Sequence, residues 1–356
     1  MINTSINTLM NTSNDRLLQQ IQALTQINAV SGDESHAAAF VLPLCEKYAN
    51  SVTTDALGNI IAFKKGKTNG ETLMVCAHMD EVGFMITHID DGGMLSFGCV
   101  GGINKAVLPA SSVTVNGISG VIGIKPIHLQ RSDNGERDTL LSAESLFIDI
   151  GASSKNQAER YASAGDYAAF DGKFKLFGND NRRIISKALD DRVGCALLCD
   201  LMEHEPLTDT YYVFTVMEEI GGYGAKAAAY SIKPDRAIIV ETTTAIDFSG
   251  KSESERICRL GKGAVLPFAD STTYYDPLLF KEYTSLCAAN SIAWQTKQGL
   301  IGGTDAASIQ RTAFGTRVQT ISLPCRNLHS AATVSDIGDL EEMQKLLHLL
   351  VCQVRN

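Results

Sequence analysis

Long hydrophobic runs are missing from this chain. Its most apolar stretches, such as Ala237-Ile238-Ile239-Val240, fall far short of the roughly 18 residues that a membrane span requires, so no membrane partner is expected. A basic surplus is missing too. The 31 Lys and Arg stand against 40 Asp and Glu for a formal net charge of −9, and no Lys/Arg stripe is present to neutralise phosphates, which excludes a nucleic-acid binder. Residues 1–14 are rich in Asn, Thr and Ser, with neither a charged n-region nor an apolar core; they read as a frayed tail and not as a secretory signal. No CxxC pair occurs among the nine cysteines, an odd and scattered set that fits reduced thiols in the cytoplasm. What is present is an ordinary globular composition, 44% hydrophobic and 20% charged, at a length that allows two or three domains.

Apolar residues at helical spacing predict a helix over Asp15–Ala29, with Asn14 or Asp15 as N-cap, and a second over Ser35–Tyr48. Val52–Thr54 and Asn59–Phe63 read as paired strands, and the continuous apolar run Leu73–Ala77 as a buried one. From about Phe84 the texture changes to short β-like runs punctuated by Gly and Asp, which predicts a small β-rich domain inserted at 84–181. The α/β rhythm then returns. Helices are expected at Asp190–Glu203, Tyr223–Tyr230, Pro277–Asn290 and Leu340–Val354, and strands at Tyr211–Val216, Arg236–Val240 and Arg317–Ile321. The alternation implies a mixed, mostly parallel sheet covered by helices, in a discontinuous catalytic domain of residues 1–83 and 182–356.

Acids and an imidazole follow the buried strands. Leu73–Ala77 runs into His78-Met79-Asp80-Glu81, Tyr211–Val216 into Met217-Glu218-Glu219, and Arg236–Val240 into Glu241. Open α/β sheets bind ligands outside the carboxyl ends of their strands, so these segments can deliver His78, Asp80, Glu218, Glu219 and Glu241 to one crevice. Asp190 and Asp191 precede a helix, where the dipole alone would stabilise them; His329 lies just past a strand. Imidazole with carboxylate is a ligand set for Zn²⁺ or Co²⁺ and a poor one for Ca²⁺. His36, His88, His128, His204 and His348 have no acidic partner at such spacing and read as solvated or core residues.

The segments Ala77–Phe84, Ala188–Gly194, Met217–Gly221, Gly302–Ala306 and Arg326–Ser330 together resemble the M42 family of dinuclear metallo-aminopeptidases, in the family's order. The resemblance implies a phosphorylase/hydrolase-like α/β catalytic domain interrupted by a β-rich dimerisation domain. It also implies two divalent metal ions, Zn or Co: His78 and Glu241 on one, Glu219 and His329 on the other, and Asp190 bridging, with Glu241 standing where many members have Asp. Asp80 would orient His78, Glu218 would be the general base, and Gly302, Gly303, Thr304 and Asp305 would shape the substrate pocket. A cis peptide at Asp190–Asp191 is implied as well. The activity implied is removal of N-terminal residues from peptides with a free N-terminus by metal-activated hydroxide, in a cytoplasmic homo-oligomer of dimers that some members assemble into a dodecamer. Two other functions compete. The Glu218–Glu219 pair invites a glycoside hydrolase, but two adjacent acids do not obviously flank a glycosidic bond; a non-catalytic metal-binding protein would have no use for Glu218 beside its ligands.

Overall fold

Every residue of Leu73–His78 is buried. The two-residue period of a strand sends Leu73, Val75 and Ala77 into one hydrophobic cluster and Met74 and Cys76 into another. The helices Ser13–Thr25, Ser35–Tyr48, Leu189–Met202, Pro277–Ala289 and Ile337–Cys352 contribute to the first cluster; Tyr223–Ile232 and Ala306–Gln310 contribute to the second. A strand covered on both faces has no polar side, which is why its sequence shows no alternation. The computed structural model describes residues 13–124, 146–248, 250 and 256–352. Residues 1–12 of the tail expected at 1–14, His128 and the last two residues of the expected C-terminal helix lie outside them, while Ser13 and Asn14 belong to the first helix.

Eight strands form the main sheet in the order Ser51–Thr54, Ile60–Lys64, Thr210–Thr215, Leu73–His78, Arg236–Thr244, Arg317–Cys325, Ala264–Val265 and Trp294–Gln295. The four from Thr210–Thr215 to Arg317–Cys325 run parallel, with antiparallel pairing at Ile60–Lys64 and Val265, so the fold is α/β with a mixed sheet. Thr215 pairs with His78, and Ile239 pairs with Cys76. Continuing that register puts Glu241 level with His78.

Several expectations need correction. The strand expected to stop at Val240 continues to Thr244, because its nine residues pair along the whole of Arg317–Cys325; Glu241 therefore stands inside a strand rather than past its end. The first helix ends at Thr25, not Ala29. The buried Arg192 side chain donates to the Leu24 carbonyl in the helix's last turn and to those of Ile27 and Ala29 beyond its end. It also begins at Ser13, which places Asn14 and Asp15 within the first turn.

Six strands, Gly83–Ile89, Leu95–Val100, Leu146–Asp149, Ile118–Ile124, Ser112–Val115 and Tyr167–Phe170, close into a barrel in that order. Phe84 fills its centre, meeting Phe97 and Phe170 edge-on at 5.1 and 5.0 Å. The next strand, Lys175–Phe177, leaves the barrel and pairs with Arg183–Ser186, which pairs in turn with Thr333–Asp336. Among the described residues no helix is long and apolar enough to cross a membrane. All nine cysteines are free, and seven of them are buried.

Candidate metal centre

The sheet register brings His78 and Glu241 together on neighbouring parallel strands, with His78 Nε2 3.5 Å from Glu241 Oε1. The same nitrogen lies 3.4 Å from Asp190 Oδ1. Asp190 opens the helix Leu189–Met202 with non-helical dihedrals, after Ala188 at φ +50°, and the Asp190–Asp191 peptide is cis. Its other oxygen, Oδ2, lies 3.3 Å from His329 Nε2, and Glu219 Oε2 lies 3.3 Å from that nitrogen. Two trios result, His78–Asp190–Glu241 and Asp190–Glu219–His329, and Asp190 belongs to both.

Glu218 and Glu219 would diverge on an extended strand, but the strand ends at Thr215 and Met217 takes φ +58°. The turn that follows places Glu219 in the second trio and leaves Glu218 outside both. Asp80 anchors that turn, its Oδ1 accepting from the Glu218 N–H at 3.1 Å and its Oδ2 from the Glu219 N–H at 3.0 Å. His78 Nδ1 is 3.2 Å from the Asp80 carbonyl oxygen and 3.5 Å from Oδ1. The orienting contact to His78 is thus closer from the Asp80 backbone than from its carboxylate. On the far side, His329 Nδ1 lies 2.6 Å from the Gly102 carbonyl, beyond the barrel strand Leu95–Val100. Asp191 turns away and accepts the Gly194 N–H at 3.0 Å.

The charges do not balance among themselves. Burial, then the negative charge of Asp190, pushes the Glu219 carboxyl up to about 8, and burial pushes Glu241 up to about 7. Burial works against protonating the imidazoles, yet Glu241, Asp190 and Asp80 hold His78 well above its usual range, and Asp190 with Glu219 brings His329 to about 10. Asp190 is held well below the usual carboxylate range against its burial by His329 and His78. Glu219 Oε1 is buried without a hydrogen-bond partner. Two ligands about 2.1 Å from one tetrahedral cation stand roughly 3.4 Å apart. The spacing of 3.3–3.5 Å in both trios matches that figure, so the donor set fits a pair of cations.

A second buried cluster, three residues from the first, went unread in the sequence. Glu81 accepts both Lys187 Nζ, at 2.6 and 2.7 Å, and the Ala29 N–H at 3.0 Å. Arg192, with no exposed surface, donates to Met79, Leu24, Ile27 and Ala29 carbonyls and lies 3.5 Å from Glu81. Charged residues inside otherwise apolar segments were the available signal. Of the expected pocket residues, Asp305 is buried and accepts the Thr215 hydroxyl at 2.6 Å; burial raises its carboxyl to about 6. Thr304 Oγ1 accepts the Ala306 N–H at 3.2 Å, and Gly302 and Gly303 pack against the loop at Ser271 and Thr272. His348, expected to lack an acidic partner, lies 2.7 Å from Asp200 through Nε2.

The family model of the M42 glutamyl aminopeptidases matches residues 58–346. A putative aminopeptidase of Acetivibrio thermocellus is 36% identical over 334 residues, 93% of this chain and 97% of its own. Among solved structures, the TET1 peptidase of Pyrococcus horikoshii, which can assemble into a tetrahedron or a large octahedral shell, matches at TM-score 0.81 and 30% identity, over 95% of this chain and 100% of its own. A Thermotoga maritima protein named as an endoglucanase matches at TM-score 0.78 and 34% identity, over 93% of this chain and 96% of its own.

Proposed function

The chain belongs to the M42 glutamyl aminopeptidase family and is a metal-dependent aminopeptidase; from that premise we propose that it works with two divalent cations per subunit, Zn²⁺ or Co²⁺. His78 and Glu241 hold one, Glu219 and His329 the other, and Asp190 bridges. The observation that carries this reading is Asp190 itself, each of whose oxygens faces a different imidazole at 3.3–3.4 Å. When bound, the cations supply Lewis acidity, lowering the pKa of water, polarising the scissile carbonyl and anchoring a free α-amino group.

The chain supplies the proton handling and the alignment. Glu218 is in neither trio, and burial together with the charges of Glu241, Asp305 and Glu219 holds its carboxyl well above the usual range, against the pull of His78. A carboxylate so placed takes the proton of the attacking water and delivers it to the leaving amine. Asp80 fixes the turn that carries Glu218 and Glu219, and with its backbone carbonyl it sets the His78 ring. Gly302, Gly303, Thr304 and Asp305 border the pocket for the N-terminal side chain.

Residues 1–83 and 182–356 form the catalytic domain, and the insert 84–181 is the dimerisation domain of a cytoplasmic homo-oligomer whose dimers build a dodecamer. The likeness to the Pyrococcus horikoshii peptidase, which can assemble into a tetrahedron or a large octahedral shell, supports a homo-oligomer. Metal analysis after dialysis, paired with aminoacyl anilide assays after chelation, tests the centre. Two ions per subunit and recovery with Zn²⁺ or Co²⁺ are expected; one ion, or activity in chelator, refutes the reading. The Thermotoga maritima name favours a glycosidase as the second reading. Glycosidase carboxyls flank the bond about 5–9.5 Å apart, whereas the carboxylates here alternate with imidazoles; cellulase activity that survives chelation would establish it.

A further inference from the structure

Three successive backbone N–H groups, at Met217, Glu218 and Glu219, are bound by two buried carboxylates from distant parts of the chain. Asp80 takes the second and third. The first goes to Glu34, whose Oε1 accepts the Met217 N–H at 3.0 Å and the Gly32 N–H at 2.8 Å. A left-handed residue followed by a turn aims its amides into one concavity, a cradle for anions; here the protein fills the cradle with its own side chains. Glu34 precedes the helix Ser35–Tyr48 at a position where a carboxylate can cap the first turn, yet its side chain makes no capping hydrogen bond. It reaches to Met217 instead, although this seats its charge beside that of Asp80. The loop before it is held by the bridge of Val30 to Glu81, and the Tyr167 hydroxyl of the barrel packs against Gly32, 2.7 Å from where a Cβ would stand.

We propose that Glu34 is a positioning residue for Glu218: by accepting the Met217 N–H it sets the φ +58° conformation from which the turn aims Glu218 past the metal ligands. The role needs an acceptor of glutamate length, not a charge. It rests on Glu218 serving as the base, as proposed above.

The test uses the full-length metal-loaded protein and the substitutions Glu34→Gln, Glu34→Asp and Glu34→Leu, with Glu218→Gln as reference. Gln keeps the acceptor and the length; Asp keeps the charge and falls one methylene short. Gln should hold kcat for an aminoacyl anilide within about threefold of the parent, while Asp and Leu lose about 10–100-fold in kcat with KM unchanged. In the metal-free protein, Met217 amide hydrogen exchange should accelerate about tenfold in Asp and Leu but not in Gln. Should the Leu protein fail to fold, the Gln and Asp pair decides. Overturning results are the reverse order, with Asp active and Gln impaired, or parent-like kcat and exchange in all three. If Glu218→Gln keeps the parent rate, the assignment of the base falls, and Met217 exchange still reports whether Glu34 holds the turn.

Discussion

Two clusters of buried charge lie side by side in this enzyme, and they are built on opposite plans. Around Glu81 each charge is answered by the chain: Lys187 lies on both its carboxylate oxygens, and the Arg192 guanidinium is spread over four backbone carbonyls. Around Asp190 the groups crowd without closing, with two carboxyls raised toward neutrality and one oxygen of Glu219 unpartnered. The first cluster completes a fold, since a buried ion pair is tolerated when its remaining hydrogen bonds are made. The second is the one we propose to be completed by cations. Charge in a protein interior therefore does not mark a functional site; charge that the chain leaves unanswered does.

The sharpest way to break this contrast is Asp190→Ala, which removes the shared ligand. It should abolish both metal binding and turnover, read by metal analysis and anilide hydrolysis, and a protein that keeps either would sink the bridging assignment. Glu218→Gln should lower kcat about 10²–10⁴-fold with metal content intact; wild-type hydrolysis would remove it as the base. On the closed side, Arg192→Met removes the second cation beside Glu81, which keeps Lys187, and leaves four buried carbonyls without their donor. It should cost about 3–5 kcal/mol in denaturant unfolding, with any residual folded protein still binding metal; a loss under 1 kcal/mol would mean that the two clusters do not differ as argued.

The smallest effect sharpens the comparison with a third site. Asp200 draws His348 up to about 9 against the burial of the ring, and His348 holds Asp200 below the usual carboxylate range. A raised imidazole stabilises the fold fully below its unfolded value near 6.5 and loses that contribution as pH rises through about 9. His348→Leu should therefore cost about 1–2 kcal/mol at pH 6 and little at pH 10, measured by thermal unfolding. An equal cost at both values would show that the pair acts by packing and not by charge.

The grouping of His78, Asp190, Glu219 and His329 is legible in the sequence because each sits in a short block at or past a strand end or at a helix start, where local pattern and chemistry coincide. Glu241 shows where that logic thins. The residue was rightly placed near His78, but strand length was misjudged because nothing within Arg236–Thr244 announces that its partner runs as long. Lys187 and Arg192 show in the sequence only as charges inside apolar segments, and Glu34 carries no signal at all, for a different reason. Their meaning lies in contacts more than 100 residues away, 183 for Glu34 with Met217 and 106 for Lys187 with Glu81, and no local period encodes such pairings. The arrival of Glu219 in the second trio likewise depends on one positive φ at Met217, a choice that methionine does not advertise.

The Gly102 carbonyl against His329 has a consequence for how much of the chain the centre requires. The members of the two trios stand in the order 78, 190, 219, 241 and 329, and the last lies against a residue 227 positions earlier in the chain. Residue 241 supplies the last member of the His78–Asp190–Glu241 trio, but the strand that carries it pairs with Arg317–Cys325, and the second trio is complete only at residue 329. With the ligand set proposed above, a chain that stops short of residue 329 lacks the imidazole of the second trio, so the centre draws on nearly the whole length of the chain.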